Sequence, residues 1–241
     1  MSLYMRPFIL LISLECNHDK ETGGFFKMVE LVFILDRSGS MAGLEKDTIG
    51  GFNSMLEKQR KESGEALVTT VLFDHETAMI HDRVAIEKVP DLTEHDYFVR
   101  GSTALLDAIG QLVEHISNIH KYARKEDVPE RTLFIITTDG MENTSHKYNY
   151  EIVHKMIEDK KQNHGWEFLF LGANIDAVAE AKKFGIDETM TANYNCDEAG
   201  TALNYEVISE AITSVRKCSK PLSFDWKKKI DKDYKERGGK R

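Results

Sequence analysis

The sequence predicts a three-layer α/β/α domain: a mainly parallel central sheet with one antiparallel edge strand, flanked by helices on both faces. Three observations carry this prediction. Short continuous apolar runs recur along the chain, as expected for strands buried on both faces. Segments with apolar residues at helical spacing lie between them, the alternation that builds parallel sheets. Two of the runs, ELVFILD (Glu30–Asp36) and RTLFIITTD (Arg131–Asp139), end on an aspartate.

The elements follow in order. ELVFILD is the first core strand. From Leu44 to about Glu62, Ile49, Phe52 and Leu56 recur at helical spacing. Gly50 and Gly51 interrupt that helix at a cost of about 1 kcal/mol each relative to alanine; either the helix is weak, or its backbone approaches the sheet as closely as only glycine allows. ALVTTVLFD (Ala66–Asp74) is the second strand. TAMIHD and RVAIEKV, separated by little, read as a hairpin-like edge. PDLTEHDYFVRG reads as a loop with at most a helical turn. Leu105, Ile109, Leu112, Ile116, Ile119 and Ala123 then step by four, three, four, three and four, one apolar stripe on a long helix. After RTLFIITTD come a helix around Ile152 to Ile157, the strand WEFLFLG (Trp166–Gly172), and a short helix through Val178 and Phe184. A weak strand near Thr189 to Ala192 precedes a last helix carrying Leu203, Val207, Ala211 and Val215.

The ends differ from this core. In residues 1–27 a short apolar run, Phe8 to Leu14, falls well below the ~20 residues needed to span a bilayer. No small-residue cleavage site follows it, so the segment is read as an extension outside the core. The domain is placed at residues 28–219. Residues 220–241 hold nine Lys/Arg against four Asp/Glu and are read as a solvated, partly disordered basic tail. The whole chain carries −8, which argues against a nucleic-acid partner. Three cysteines (Cys16, Cys196, Cys218) without a Cys-x-x-Cys spacing suggest a reducing, cytoplasmic compartment and no structural zinc. The nine histidines form no metalloprotease motif.

In parallel α/β sheets, ligands bind beyond the carboxyl ends of the strands, where strand order reverses. Asp36 and Asp139 both stand at such ends. Taken alone, FILDRSGSM (Phe33–Met41) is equally well a turn aspartate followed by a serine helix cap. Two further motifs tip the balance: GST at Gly101–Thr103, just before the long helix, and TTDG at Thr137–Gly140. The three together, in this order, resemble the Asp-x-Ser-x-Ser, threonine and distant aspartate of the von Willebrand factor type A domains, over roughly Val29 to Lys217. The likeness is greatest to small stand-alone bacterial-type members, since appended modules are lacking. Such domains have a Rossmann-like fold.

The resemblance implies a metal-ion-dependent adhesion site (MIDAS). Ser38, Ser40 and Thr103 would give hydroxyl oxygens to Mg²⁺ or Mn²⁺, with Asp36 and Asp139 acting mostly through water. Magnesium takes near-octahedral oxygen ligands and keeps several waters, which suits such a set. The implied function is a non-enzymatic, metal-dependent interaction module. Its protein partner would offer a Glu or Asp carboxylate to the metal, in an adaptor role, with no membrane partner. The alternative is a phosphoryl-transfer enzyme or other hydrolase using Asp36. Enzymes of the haloacid dehalogenase type also begin with a strand-end aspartate, but they place a second aspartate where this chain has Ser38. There is no phosphate-binding Gly-x-x-x-x-Gly-Lys loop and no Gly-x-Ser-x-Gly elbow. Glu142 and Asn143 follow Asp139 closely and either line the same rim or, the favoured reading, form exposed loop; Arg37 points away from the site by strand alternation.

Overall fold

β1 (Val29–Asp36) is buried at all eight positions because helices cover both of its faces. Leu31, Phe33 and Leu35 pack into one apolar cluster, and Val32 and Ile34 into the other. The computed structural model describes residues 28–218 and 221–238; the predicted extension 1–27 lies outside them. Six strands line up in the order β3-β2-β1-β4-β5-β6. β2 (Ala66–Phe73), β4 (Arg131–Thr138), β5 (Glu167–Ala173) and β6 (Thr191–Tyr194) run parallel with β1, and β3 (Thr77–Ala85) is antiparallel to β2. The sheet is the mixed, mostly parallel one expected from the sequence.

α1 (Glu45–Arg60) and α5 (Glu198–Lys217) cover one face with the cluster of Phe33, Phe52, Leu56 and Ile208. α2 (Leu105–Tyr122), α3 (Tyr150–His164) and α4 (Ala177–Lys183) cover the other, around Phe134, Phe170 and Phe184. The predicted stripe of α2 is buried from Leu105 through Ile116. Among the described residues, no helix is long and apolar enough to cross a membrane.

Three expectations need correction. TAMIHD and RVAIEKV are not two strands. TAMIHD and the first three residues of RVAIEKV form one strand, β3, which pairs with β2 and carries register irregularities, and Ile86–Lys88 is a 3-10 turn; Arg83 takes a left-handed backbone with φ 50°. Gly51 does allow a close approach, but to α5 rather than to the sheet: a Cβ there would lie 2.3 Å from the Tyr205 ring, whereas at Gly50 it would meet nothing. The basic tail is not a loose end across its described part. Residues 228–236 form α6 (Lys228–Glu236), whose Ile230 is 1% exposed in the same cluster as α5. The Trp226 indole N–H donates to the Thr189 carbonyl at 2.9 Å. A single buried isoleucine among nine basic residues leaves almost no periodic signal.

The topology fixes the site. The chain leaves β1 toward β2 on one side and later crosses to β4 on the other, so β1 and β4 flank the point where strand order reverses. Their register pairs Leu35 with Thr137, which brings Asp36 level with Thr138 and next to Asp139.

Candidate metal centre

Asp36 ends β1 with 1% exposure, and both its oxygens are engaged. Oδ1 accepts the Ser38 backbone N–H at 2.7 Å, and Oδ2 accepts the Thr138 hydroxyl at 2.5 Å. Its carbonyl accepts the hydroxyl of Tyr97 at 2.5 Å. The chain then turns through a short 3-10 segment, Gly39–Met41, to which Ser38 stands as N-cap without a side-chain capping bond. The Ser38 hydroxyl is therefore not spent on a helix end: Asp36 does close a turn onto the Ser38 N–H, but the serine cap of the plain reading is absent.

The hydroxyls converge instead. Ser38 and Ser40 Oγ lie 3.1 Å apart, and Ser40 Oγ donates to Asp139 Oδ1 at 2.5 Å. Gly140 gives the clearest measure. A Cβ built on it would lie 3.1 Å from Thr103 Oγ1, 3.3 Å from Ser40 Oγ and 3.9 Å from Ser38 Oγ. Three hydroxyl oxygens from two loops thus surround one concavity, kept open by a residue without a side chain. Ser40 is exposed and Ser38, Thr103 and Asp139 are buried, so the cluster opens to solvent on the Ser40 side. All five residues predicted from the sequence, Asp36, Ser38, Ser40, Thr103 and Asp139, come together here.

Thr103 is fixed by a loop whose role the sequence did not reveal. The Thr103 N–H donates to Asn143 Oδ1 at 2.9 Å, and the Asn143 N–H donates back to the Thr103 carbonyl at 3.0 Å. α2 begins right after Thr103, and its N-cap, Ala104, offers no side-chain acceptor. The open N–H groups of its first turn go to the loop beyond β4 instead. Leu106 N–H donates to Glu142 at 2.9 Å, and Asp107 N–H to Ser145 Oγ at 3.0 Å. Asp107 in return accepts the backbone N–H groups of His146, Lys147 and Tyr148. Glu142 and Asn143, for which exposed loop is the favoured reading of the sequence over the rim of the site, therefore tie the Asp139 loop to the Thr103 loop.

The electrostatics call for a cation. Burial pushes the Asp36 carboxyl up to about 6, against the hydrogen bonds from Thr138 and Ser38, with the charge of Asp139 adding to the rise. Burial likewise raises Asp139, although the Ser40 hydroxyl and the Cys196 thiol bond to it. No lysine or arginine stands among the groups that act most strongly on either carboxylate. Two adjacent buried acids without a basic neighbour are costly, and a divalent cation among oxygen donors relieves that cost. Hydroxyl and carboxylate oxygens are the donors that hard cations such as Mg²⁺ and Mn²⁺ take. The residues present fit such an ion.

A second acidic group, Asp74, His75 and Glu76, also brings three metal-type side chains within 4.8 Å of one another. Its charge is already met. Asp74 Oδ2 accepts from Arg37 Nε and from Arg100 Nε, both at 2.8 Å, and Glu76 pairs with Arg100 Nη2 at 2.8 Å. A cation placed there would face two guanidinium groups.

No family model and no curated protein matches this sequence. Solved structures do match. The von Willebrand factor domain of the type V pili tip protein Mfa5 from Porphyromonas gingivalis aligns with TM-score 0.55 at 12% identity, over 83% of this chain and 99% of that one. Manganese-loaded TRAP protein of Plasmodium vivax aligns with TM-score 0.52 at 16% identity, over 75% and 73%. Proximal thread matrix protein 1 from the mussel byssus, with a zinc-occupied MIDAS motif, aligns with TM-score 0.53 at 13% identity over 78% of this chain. The chain spans about half of that mussel protein, 46% of its length. At such identities the likeness is one of fold.

Proposed function

From the von Willebrand factor type A fold of this chain, we propose that it is a protein-binding module. A divalent cation, Mg²⁺ or Mn²⁺, held by Asp36, Ser38, Ser40, Thr103 and Asp139, receives an acidic residue of the partner. The observation that carries the reading is the convergence of three hydroxyls on one concavity, in front of two buried aspartates that no lysine or arginine among the described residues is seen to bond. Manganese in TRAP and zinc in the mussel MIDAS motif support it, as domains of the same fold that hold a divalent ion. When bound, the ion supplies an electrophilic centre for a carboxylate.

The chain's own residues set the terms of binding. The three hydroxyls are neutral donors. Asp139 is drawn onto the Ser40 hydroxyl, and Asp36 is bonded to Thr138 and the Ser38 backbone, so their charge sits behind the hydroxyls. A first shell poor in charge leaves room for an acidic group from outside. The same geometry speaks against a hydrolase: Asp36, the obvious nucleophile, is buried and has both oxygens occupied by hydrogen bonds.

Peptides with a central Asp or Glu are therefore expected to bind the immobilised domain in millimolar Mg²⁺. Peptide and ion should raise each other's affinity by the same factor, since linkage is reciprocal; a coupling of about 1–3 kcal/mol, roughly 5- to 150-fold, is ordinary. Replacing the central acid by its amide should abolish the effect. Affinities that are flat between chelator and Mg²⁺ would place the binding surface elsewhere.

A further inference from the structure

We infer that Asp74 is a positioning residue for the proposed metal centre: it clamps the loop of Ser38 and Ser40 to the loop of Thr103 through Arg37 and Arg100. The inference rests on the functional reading above and names what holds its geometry. Ser40 and Thr103 come from loops 63 residues apart in sequence, and one carboxylate ties both loops through its side chain. Asp74 stands between them. It follows the last residue of β2, beside the end of β1, and is 0% exposed.

Every polar atom of Asp74 that bonds beyond its own turn reaches one of these loops. Oδ2 is shared by Arg37 Nε, next to Ser38, and by Arg100 Nε, three residues before Thr103. Its carbonyl accepts the N–H of Ala104, the residue after Thr103, at 2.7 Å. Oδ1 accepts the Glu76 N–H at 2.9 Å, closing the turn that orients the carboxylate. Two backbone bonds run directly between the clamped loops: Arg100 N–H to the Arg37 carbonyl at 2.9 Å, and Gly39 N–H to the Gly101 carbonyl at 3.1 Å. Both guanidinium groups also lie over the Phe98 ring, at 5.2 and 5.8 Å from its centre. At Gly101, the turn into Thr103 takes φ +68°, and a Cβ there would strike the His75 side chain. Arg37, which strand alternation left without a role, is thus turned from the metal centre in order to hold it.

The physical consequence concerns preorganisation. A small hard cation demands near-ideal geometry at about 2.0–2.1 Å, so a shift of one ligand loop against the other is felt directly in affinity. Removing partners that orient metal ligands typically costs about 10–100-fold in metal affinity. Asp74 is too deeply buried for a clean test, because losing it would strand two arginines. Arg100 is the accessible half of the clamp: its side chain is 39% exposed, and it bridges Asp74 and Glu76 with separate nitrogens.

The experiment is calorimetric titration of the full chain with Mn²⁺, alongside melting of each variant in chelator. Arg100→Gln is expected to bind Mn²⁺ roughly 10–100-fold more weakly while melting close to wild type in chelator. In a Thr103→Ala background the same change should cost little more, because residues acting through one ligand are not additive. Arg100→Lys, which keeps the charge but not the fork, should restore affinity only in part. If Arg100→Gln folds poorly, Glu76→Gln, which loosens only the outer hold on Arg100, should show a smaller loss in the same direction. Wild-type affinity in a folded Arg100→Gln, or losses that add fully with Thr103→Ala, would overturn the clamp alone. A wild type that binds no Mn²⁺ would overturn the function as well.

Discussion

The Asp36→Asn protein is expected to lose the binding of Mg²⁺ and Mn²⁺ entirely at millimolar concentration, and yet to melt in chelator at or above the wild-type temperature. The two halves of this result have one cause. Asp36 is 1% exposed, and burial pushes its carboxyl up to about 6 from an ordinary 3.8. That displacement means that carrying the charge costs the folded protein roughly 3 kcal/mol more than it costs an exposed aspartate at neutral pH. An amide of the same shape keeps an acceptor for the Ser38 N–H and removes the charge. Thr138 can turn its hydroxyl to accept rather than donate. The metal-free protein should then gain some of that energy back, on the order of 1–2 kcal/mol after imperfect hydrogen bonding is counted. The cation loses the more buried of its two negative charges. Melting curves of both proteins, with metal and with chelator, separate the two effects. An Asp36→Asn variant that is both metal-blind and strongly destabilised would mean that Asp36 is a structural turn residue and not a held charge.

Gly140→Ala is expected to weaken Mg²⁺ binding by about tenfold or more, since this ion tolerates little displacement of its oxygens. The added methyl would lie 3.1 Å from Thr103 Oγ1 and 3.3 Å from Ser40 Oγ, inside the space the hydroxyls surround. The backbone should not object, since Gly140 is not among the glycines with positive φ. The change therefore fills the concavity with little strain on the chain, and melting in chelator should shift by no more than a few degrees. No charge and no proposed ligand is altered, which sets this test apart from Asp36→Asn. Unchanged Mg²⁺ affinity, measured by calorimetry, would mean that the ion sits outside the concavity.

The parts of this molecule that the sequence made legible are those with a short-range signature. β1 and β4 are continuous apolar runs because both faces of the sheet are covered, and the α2 stripe repeats because only one side of that helix is buried. Asp36, Ser38 and Ser40 sit within five residues, and Thr103 and Asp139 carry small-residue neighbours at the expected strand and helix ends. What stayed hidden acts across long sequence separations. Tyr97 reaches the Asp36 carbonyl, Asn143 brackets Thr103, and Asp74 joins Arg37 to Arg100, each through contacts that no local spacing encodes. Thr138 was missed for another reason. It stands beside a predicted ligand, but a threonine in a buried strand reads as ordinary β-structure. The tail misled because charge dominates its composition, while its docking depends on Ile230 and Trp226.

Thermal melting of the wild-type protein across a Mn²⁺ titration, with chelator as the zero point, tests the central claim most directly. A ligand that binds only the folded state stabilises it by about 2.7 kcal/mol at a hundred times its dissociation constant. The melting temperature is expected to climb with Mn²⁺ and to return on chelation. A melting temperature that stays the same from chelator to millimolar Mn²⁺ would contradict it: the five converging residues would then hold no ion.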